Sequence, residues 1–305
     1  MSQPWNRREF LATGGGILAA AALPPLLGAA TTSPAPAAKR PLKKAIHLGM
    51  IAGNFSVLDK FKLAKELGFD GLEVDGPADP QRGDMLKARD ATGLPISSVM
   101  NSVHWKWPLS HPDPAIRARG LDGLRGALRD AKDYGCSAVL LVPAVVNKQV
   151  SYAEAYQRSQ AEIRQVLPLA EELRVHIAIE NVWNQFLLSP LEAARYVDDF
   201  QSPWVGFYFD VGNVINYGWP EHWIQSLGKR LLRIHIKEFS RTKRDREGLW
   251  KGFNVELLEG DCDWPAVMRA LDQVGYRDWI TAEVGGGDIH RLRDIAERMN
   301  RILAS

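Results

Sequence analysis

The chain has 305 residues, of which 46% are hydrophobic and 24% charged, and its formal net charge is +2. That length is enough to bury one large core, while so small an excess of positive charge excludes a protein that holds polyanions by neutralising phosphates. Only two cysteines, Cys136 and Cys262, are present, which excludes a disulfide-stapled scaffold.

Residues 1–40 stand apart from the rest. Arg7 and Arg8 precede the apolar run "GGGILAAAALPPLLGAA", and the small, proline-rich "TTSPAPAAKR" follows it. Basic, then apolar, then small is the order of a secretory signal, and a run broken by Pro24 and Pro25 is too short to serve as a membrane span. The segment resembles the twin-arginine translocation signal of bacteria, with Phe10 and Leu11 as the bulky pair after the arginines. The resemblance implies a periplasmic or otherwise exported protein, the twin-arginine translocase as a transient partner, and cleavage between Ala29 and Ala38. Loss of Arg7, Arg8 and Glu9 removes two positive charges and one negative, taking +2 to about +1. Cargo of this pathway folds in the reducing cytoplasm, so Cys136 and Cys262 are expected as free thiols.

From residue 41 onward, short β-branched runs alternate with helical patterns without a linker-like break. The runs are "AIHLGMI" (45–51), "GLEV" (71–74), "PISSVMN" (95–101), "AVLLVPA" (138–144), "HIAIE" (176–180), "VGFYFD" (205–210), "LLRIHIK" (231–237) and "WITAEV" (279–284). Between them, "SVLDKFKLAKELGF", "PAIRARGLDGLRGALRDAKDYG", "YAEAYQRSQAEIRQVLPLAEEL" and "WPAVMRALDQVGY" carry apolar residues at three- and four-residue spacing. Gly68, Gly135 and Gly275 sit where helices would end in a left-handed cap. Eight βα units predict one α/β domain over 41–305, a single (β/α)8 TIM barrel. A doubly wound sheet would carry a glycine-rich turn after its first strand, and "MIAGNFSVLDKF" has one glycine there.

In a barrel, chemistry sits where strands end. The last four runs end in Glu180, Asp210, His235 and Glu283. A lone histidine at a strand end is more often a structural residue, but three carboxylates and an imidazole from consecutive units would repel unless something compensates them. An oxygen-rich set with one nitrogen predicts one divalent metal ion, Mn²⁺, Mg²⁺ or Co²⁺, with Zn²⁺ as a further option. Lys237 shares the strand face of His235, while Ile234 and Ile236 face the other way. Lys237 would reach a substrate oxygen or neutralise the carboxylates. Glu73 would face the mouth or make a structural pair.

From residue 45 to its end the chain resembles the xylose-isomerase-like sugar isomerase/epimerase superfamily, of the ketose 3-epimerase and hexulose-phosphate isomerase type. The carriers are "IEN" at Glu180, "FDVGN" at Asp210, "HIKEFSR" at His235 and "AEV" at Glu283. The resemblance implies that Glu180, Asp210, His235 and Glu283 bind the metal, with Glu180 and Glu283 also exchanging protons with the sugar. The retained Arg241 is implied as a substrate contact. Two positions depart from the family: Asn213 stands in place of a substrate-contacting histidine, and Phe186 in place of a glutamate. Missing that histidine also separates the chain from the endonuclease-IV-type members, which need more histidines and a basic surface.

The loops add His104, Trp105 and Trp107 from "NSVHWKWPLSHPDP" and Asn181 and Trp183 from "ENVWNQF", since aromatic faces stack on sugar C–H surfaces. The charged loop "RTKRDREGLWKGF" reads as a mobile cover or a solvated face. Together these features predict a metal-dependent isomerase or epimerase of an unphosphorylated sugar or glycoside, with His104, Trp105, Trp107, Trp183, Asn213, Lys237 and Arg241 around the substrate. A metal-dependent lyase or dehydratase of a keto-sugar or keto-inositol would use the same two glutamates, and an exported sugar-binding protein is a third reading. No nucleic-acid partner and no stable membrane insertion after cleavage are expected, and a homo-oligomer is left open.

Overall fold

A computed structural model describes residues 40–78 and 80–305. The predicted twin-arginine leader lies outside the described residues. The eight apolar runs form eight parallel strands closed into a barrel in chain order, β1-β2-β3-β4-β5-β6-β7-β8. They are β1 (Lys43–His47), β2 (Gly71–Gly76), β3 (Ile96–Asn101), β4 (Ala138–Leu141), β5 (His176–Glu180), β6 (Val205–Asp210), β7 (Leu231–Ile236) and β8 (Trp279–Ala282).

The helices are α1 (Val57–Glu66), α2 (Arg82–Thr92), α3 (Pro114–Tyr134), α4 (Tyr152–Arg164), α5 (Leu167–Leu173), α6 (Pro190–Asp198), α7 (Gly212–Ile215), α8 (Pro220–Leu227), α9 (Arg241–Glu247), α10 (Trp264–Gln273) and α11 (Ile289–Ala304). Ser56 caps α1 through the Asp59 amide, and Ser151 and Glu154 form a reciprocal capping box on α4. α11 buries Leu292, Ile295, Ala296, Met299 and Ile302, one face of a 3.6-residue period. Gly68, Gly135 and Gly275 take φ of +77°, +73° and +75°, the left-handed geometry expected of them.

Two elements differ from the sequence reading. The run "AIHLGMI" leaves the sheet at His47 and turns through a 3-10 segment, Leu48–Met50, because the His47 ring accepts the Gly49 amide and tightens the chain there. The pattern over 152–173 divides into α4 and α5, since Pro168 lacks an N–H and its ring clashes with a continuing helix.

Apolar side chains facing outward from the strands, such as Ile46, Leu72, Ile179 and Ile234, pack under the helices in one continuous core. A separate cluster inside the barrel, Leu140, Ala178 and Tyr208, with Met100 against it, fills its centre. This plug leaves the C-terminal ends of the strands as the floor of an open mouth.

Candidate active site at the barrel mouth

Register places the mouth residues side by side. Asp210 on β6 pairs in register with His235 on β7, and His235 with Thr281 on β8, one pleat below Glu283. Glu180, Asp210, His235 and Glu283 each offer one ligand atom, and these atoms lie within 4.8 Å of one another. The His235 Nδ1 is 3.1 Å from Glu180 Oε1 and 3.3 Å from Glu283 Oε2. Lys237, just past β7, sets its Nζ 3.0 Å from Asp210 Oδ2 and 2.7 Å from Glu283 Oε2. It comes so close because residue 212 is glycine: a Cβ there would sit 2.6 Å from the Lys237 Cβ.

The asparagines of "IEN" and "FDVGN" stitch this floor together. Asn181 donates to the Asp210 carbonyl at 2.8 Å, and its side-chain oxygen accepts the Asp210 amide at 2.9 Å. The Asn213 amide donates to Asp210 Oδ1 at 2.8 Å, and its side chain donates to the Asn181 carbonyl at 2.9 Å. Asn213 lines the cavity, and much of its hydrogen-bonding capacity is spent on fixing Asp210 and Asn181.

Glu73 is the partner that sequence alone did not settle. It lies inside β2, wholly buried, and accepts from Tyr208 Oη at 2.7 Å and Ser98 Oγ at 2.9 Å. His235 Nε2 meets its other oxygen at 2.9 Å. The ring is therefore held from behind by Nε2, and Nδ1 points at the carboxylates.

Burial of three carboxylates together has electrostatic consequences. Burial, with the Glu283 charge nearby, pushes Glu180 up to about 7, against the pull of its His235 contact. Burial also raises Asp210 to about 6 in spite of Lys237. For Glu283, burial is outweighed by Lys237 and His235, which hold its carboxyl well below the usual range. Asp210 Oδ2 and Glu283 Oε2 are buried and, despite the nearby ammonium, receive no hydrogen bond of acceptable angle. Such atoms gathered with an imidazole nitrogen suit a divalent cation with oxygen preference, so the residues present fit the predicted metal.

Above the floor lies a cavity of about 520 Å³. Glu180, Glu283, Lys237 and Asn213 reach it from below, His104, Trp105 and Met100 from one side, and Trp183, Trp250 and Phe253 from the other. His104 is buried and its Nδ1 accepts the Val142 amide at 3.3 Å, which leaves the proton on Nε2. Burial depresses it to about 4, so it is a neutral donor. Trp105 packs edge-on against it and remains half exposed.

Two expected substrate contacts are elsewhere. Trp107 does not line the cavity; it is half-buried beneath the Lys106 ammonium, and its carbonyl packs on Gly120. Arg241 does not line it either: its guanidinium donates to the carbonyls of Ile215 at 2.8 Å and Gly218 at 3.0 Å, which ties the β6 loop to α9. The charged loop after β7 is not simply a solvated face, for it contains α9 and a 3-10 turn, Leu249–Phe253, that carries Trp250 and Phe253 to the cavity. Glu238 anchors it. Its carboxylate accepts the amides of Phe239, Leu258 and Cys262 at 3.2, 3.0 and 3.1 Å, and the Trp264 indole N–H at 2.8 Å. Phe186, at the family's glutamate position, is buried among Tyr152, Tyr156 and Tyr196. Cys136 and Cys262 are both free.

Residues 61–304 match the family model described as Xylose isomerase-like TIM barrel. The chain belongs to that family. It is 28% identical over 258 residues to L-ribulose-5-phosphate 3-epimerase UlaE of Escherichia coli, covering 78% of this chain and 87% of that protein. The fold is similar to that of D-allulose 3-epimerase from Methylomonas sp., with a TM-score of 0.70 and 20% identity, covering 87% of this chain and 99% of the other. It is also similar to that of 3-keto-D-glucoside 4-epimerase YcjR from E. coli, with a TM-score of 0.68 and 16% identity, covering 86% and 98%.

Proposed function

We propose that this family member is a divalent-metal-dependent isomerase or epimerase of an unphosphorylated sugar or glycoside, with Glu180 and Glu283 as the proton-transfer pair. One observation carries the reading. Of the four clustered residues, only the two glutamates line the cavity, whereas Asp210 and His235 are wholly buried behind them.

A carbon-bound proton next to a carbonyl is weakly acidic. When bound by Glu180, Asp210, His235 and Glu283, the metal supplies Lewis-acid stabilisation for the oxyanion that develops as that proton leaves. Glu283, kept ionised by Lys237 and His235, takes the proton. Glu180, the other carboxylate that lines the cavity, returns a proton on the other side. His104, with its proton on Nε2, donates to a substrate oxygen. Return by the second glutamate inverts the carbon and gives epimerisation; return by the same one allows isomerisation.

Support for an unphosphorylated substrate comes from the cations. Lys237 is the one ammonium or guanidinium among the described residues lining the cavity, and it is committed to Asp210 and Glu283. The names of similar proteins span a phosphate ester, a free ketose and a keto-glucoside.

Incubating the Mn²⁺-loaded protein with a panel of keto-sugars and keto-glycosides in D₂O should place one deuterium on carbon with the product mass otherwise unchanged. No deuterium on any substrate would overturn the reading, and loss of water or aglycone would replace it with elimination. We also propose twin-arginine export. Lysines in place of Arg7 and Arg8 should strand the precursor in the cytoplasm, and cytoplasmic residence of the unaltered protein would sink that part.

A further inference from the structure

The cavity runs on past the carboxylates. Trp183 is fixed by its indole N–H, which donates to the Asn213 carbonyl at 2.8 Å. Trp250 and Phe253 pack on it with ring centroids 4.7 and 4.8 Å away. Phe253 also stands 5.7 Å from the Lys237 ammonium, so the aromatic wall begins at the proton-transfer floor. It ends in solvent, where Trp250 is 66% exposed. Phe239 already closes the inner side of this wall, with centroids 5.7 Å from Trp183 and 4.9 Å from Phe253. Trp250 lines the cavity while most of its surface stays open to solvent.

We propose that Trp183, Phe253 and Trp250 form a distal subsite for a second ring, so that the substrate is a glycoside with a ring aglycone, neither a lone monosaccharide nor a phosphate ester. This inference rests on the preceding reading, which places the reacting carbon over Glu180 and Glu283. Size supports it. A cavity of about 520 Å³ falls in the range of roughly 300–1,000 Å³ that holds drug-sized ligands, whereas a single pyranose is smaller than most of them. Charge supports it as well, because Glu180 and Glu283 line the cavity and the single lysine there is already ion-paired. Indole and phenyl faces take a flat apolar surface, either an aromatic ring or the C–H face of a second sugar.

The test is calorimetric titration of the purified chain, with and without Mn²⁺. The probes are phenyl and methyl β-D-glucopyranoside with cellobiose, and the phenyl and methyl galactosides and xylosides. In at least one sugar series a ring aglycone should bind about tenfold tighter than methyl. Trp250→Ala should abolish that ratio and leave methyl glycoside affinity unchanged. A gain confined to phenyl identifies an aryl aglycone, and a gain for cellobiose a sugar. Equal affinities for ring and methyl in every series, undetectable binding throughout included, overturn the subsite, as does a Trp250→Ala protein that keeps the ratio. The ratio is independent of proton transfer. Absent deuterium exchange with an intact ratio removes the reaction and keeps the subsite, and the reverse result does the opposite.

Discussion

Arg233 and His235 occupy the same face of the same strand, one pleat apart, and both are buried, yet their surroundings differ in kind. Lower in the barrel, Arg233 donates to the Leu232 carbonyl at 2.7 Å, Asp278 at 2.8 Å and Ser137 Oγ at 2.9 Å, with the Ser97 carbonyl at 3.4 Å. One charge meets one countercharge and several neutral acceptors. Higher up, His235 meets Glu73, Glu180 and Glu283 together, and two carboxylate oxygens beside it receive no hydrogen bond. A buried charge that is satisfied in place stabilises one arrangement of the fold. A buried group of like charges held close together is instead available to a cation and to protons.

The sharpest way to break that contrast is to neutralise the upper set. Glu180→Gln or Glu283→Gln preserves shape and removes a base, so turnover should fall about 10³-fold or more while circular dichroism stays unchanged. Near-normal solvent deuterium exchange in either variant would contradict the division between the two positions.

Next in size is the metal response. A bound ion at 100 to 1,000 times its dissociation constant stabilises by about 3–4 kcal/mol, worth roughly 5–15 °C in Tm for a domain of this size. His235→Ala should lose that rise together with stoichiometric metal in elemental analysis. Arg233→Met should behave oppositely. It strands the Ser97 and Leu232 carbonyls and the Ser137 hydroxyl without their donor, while half-exposed Asp278 turns to water, and should cost about 1–3 kcal/mol in urea denaturation, with metal content retained.

A smaller effect is expected at His104. Its pKa falls on folding, so the unfolded chain binds the extra proton first as pH drops below 6.5. Stability from this group is therefore fully present above pH 6.5 and lost as pH falls toward about 4, by at most about 3 kcal/mol. His104→Gln should flatten the stability profile over that window. The smallest effect on chemistry belongs to Arg241→Lys, because its guanidinium serves the Ile215 and Gly218 carbonyls. KM should change less than about twofold while the urea midpoint drops. A KM raised tenfold would return Arg241 to the substrate.

These contrasts also mark what a sequence can display. The eight strands and the cluster at Glu180, Asp210, His235 and Glu283 were legible because each signal is local and barrel topology alone brings strand ends together. Glu73 was ambiguous because its partner, His235, is 162 residues away and register across the barrel decides the pairing. Arg241 and Trp107 were misplaced for a different reason. Arg241's acceptors are backbone carbonyls, which every residue possesses, and Trp107 is set by its own carbonyl against Gly120 and by its ring under Lys106, contacts that no side-chain pattern reveals. The aromatic wall was half visible: Trp183 stood beside a ligand motif, but Trp250 and Phe253 lay in a charged stretch whose fold follows from contacts to Glu238 and Phe239.

Glu238 has a consequence for loop length. One carboxylate gathers the amides of Phe239 at the start of the loop and Leu258 and Cys262 at its end, so the loop is closed at its stem much as a hairpin is closed by its base pair. Once a stem is closed, lengthening the loop costs little, about 0.6 kcal/mol for each doubling. The stretch between Phe239 and Leu258 can therefore change in length and sequence at little cost to the barrel beneath it.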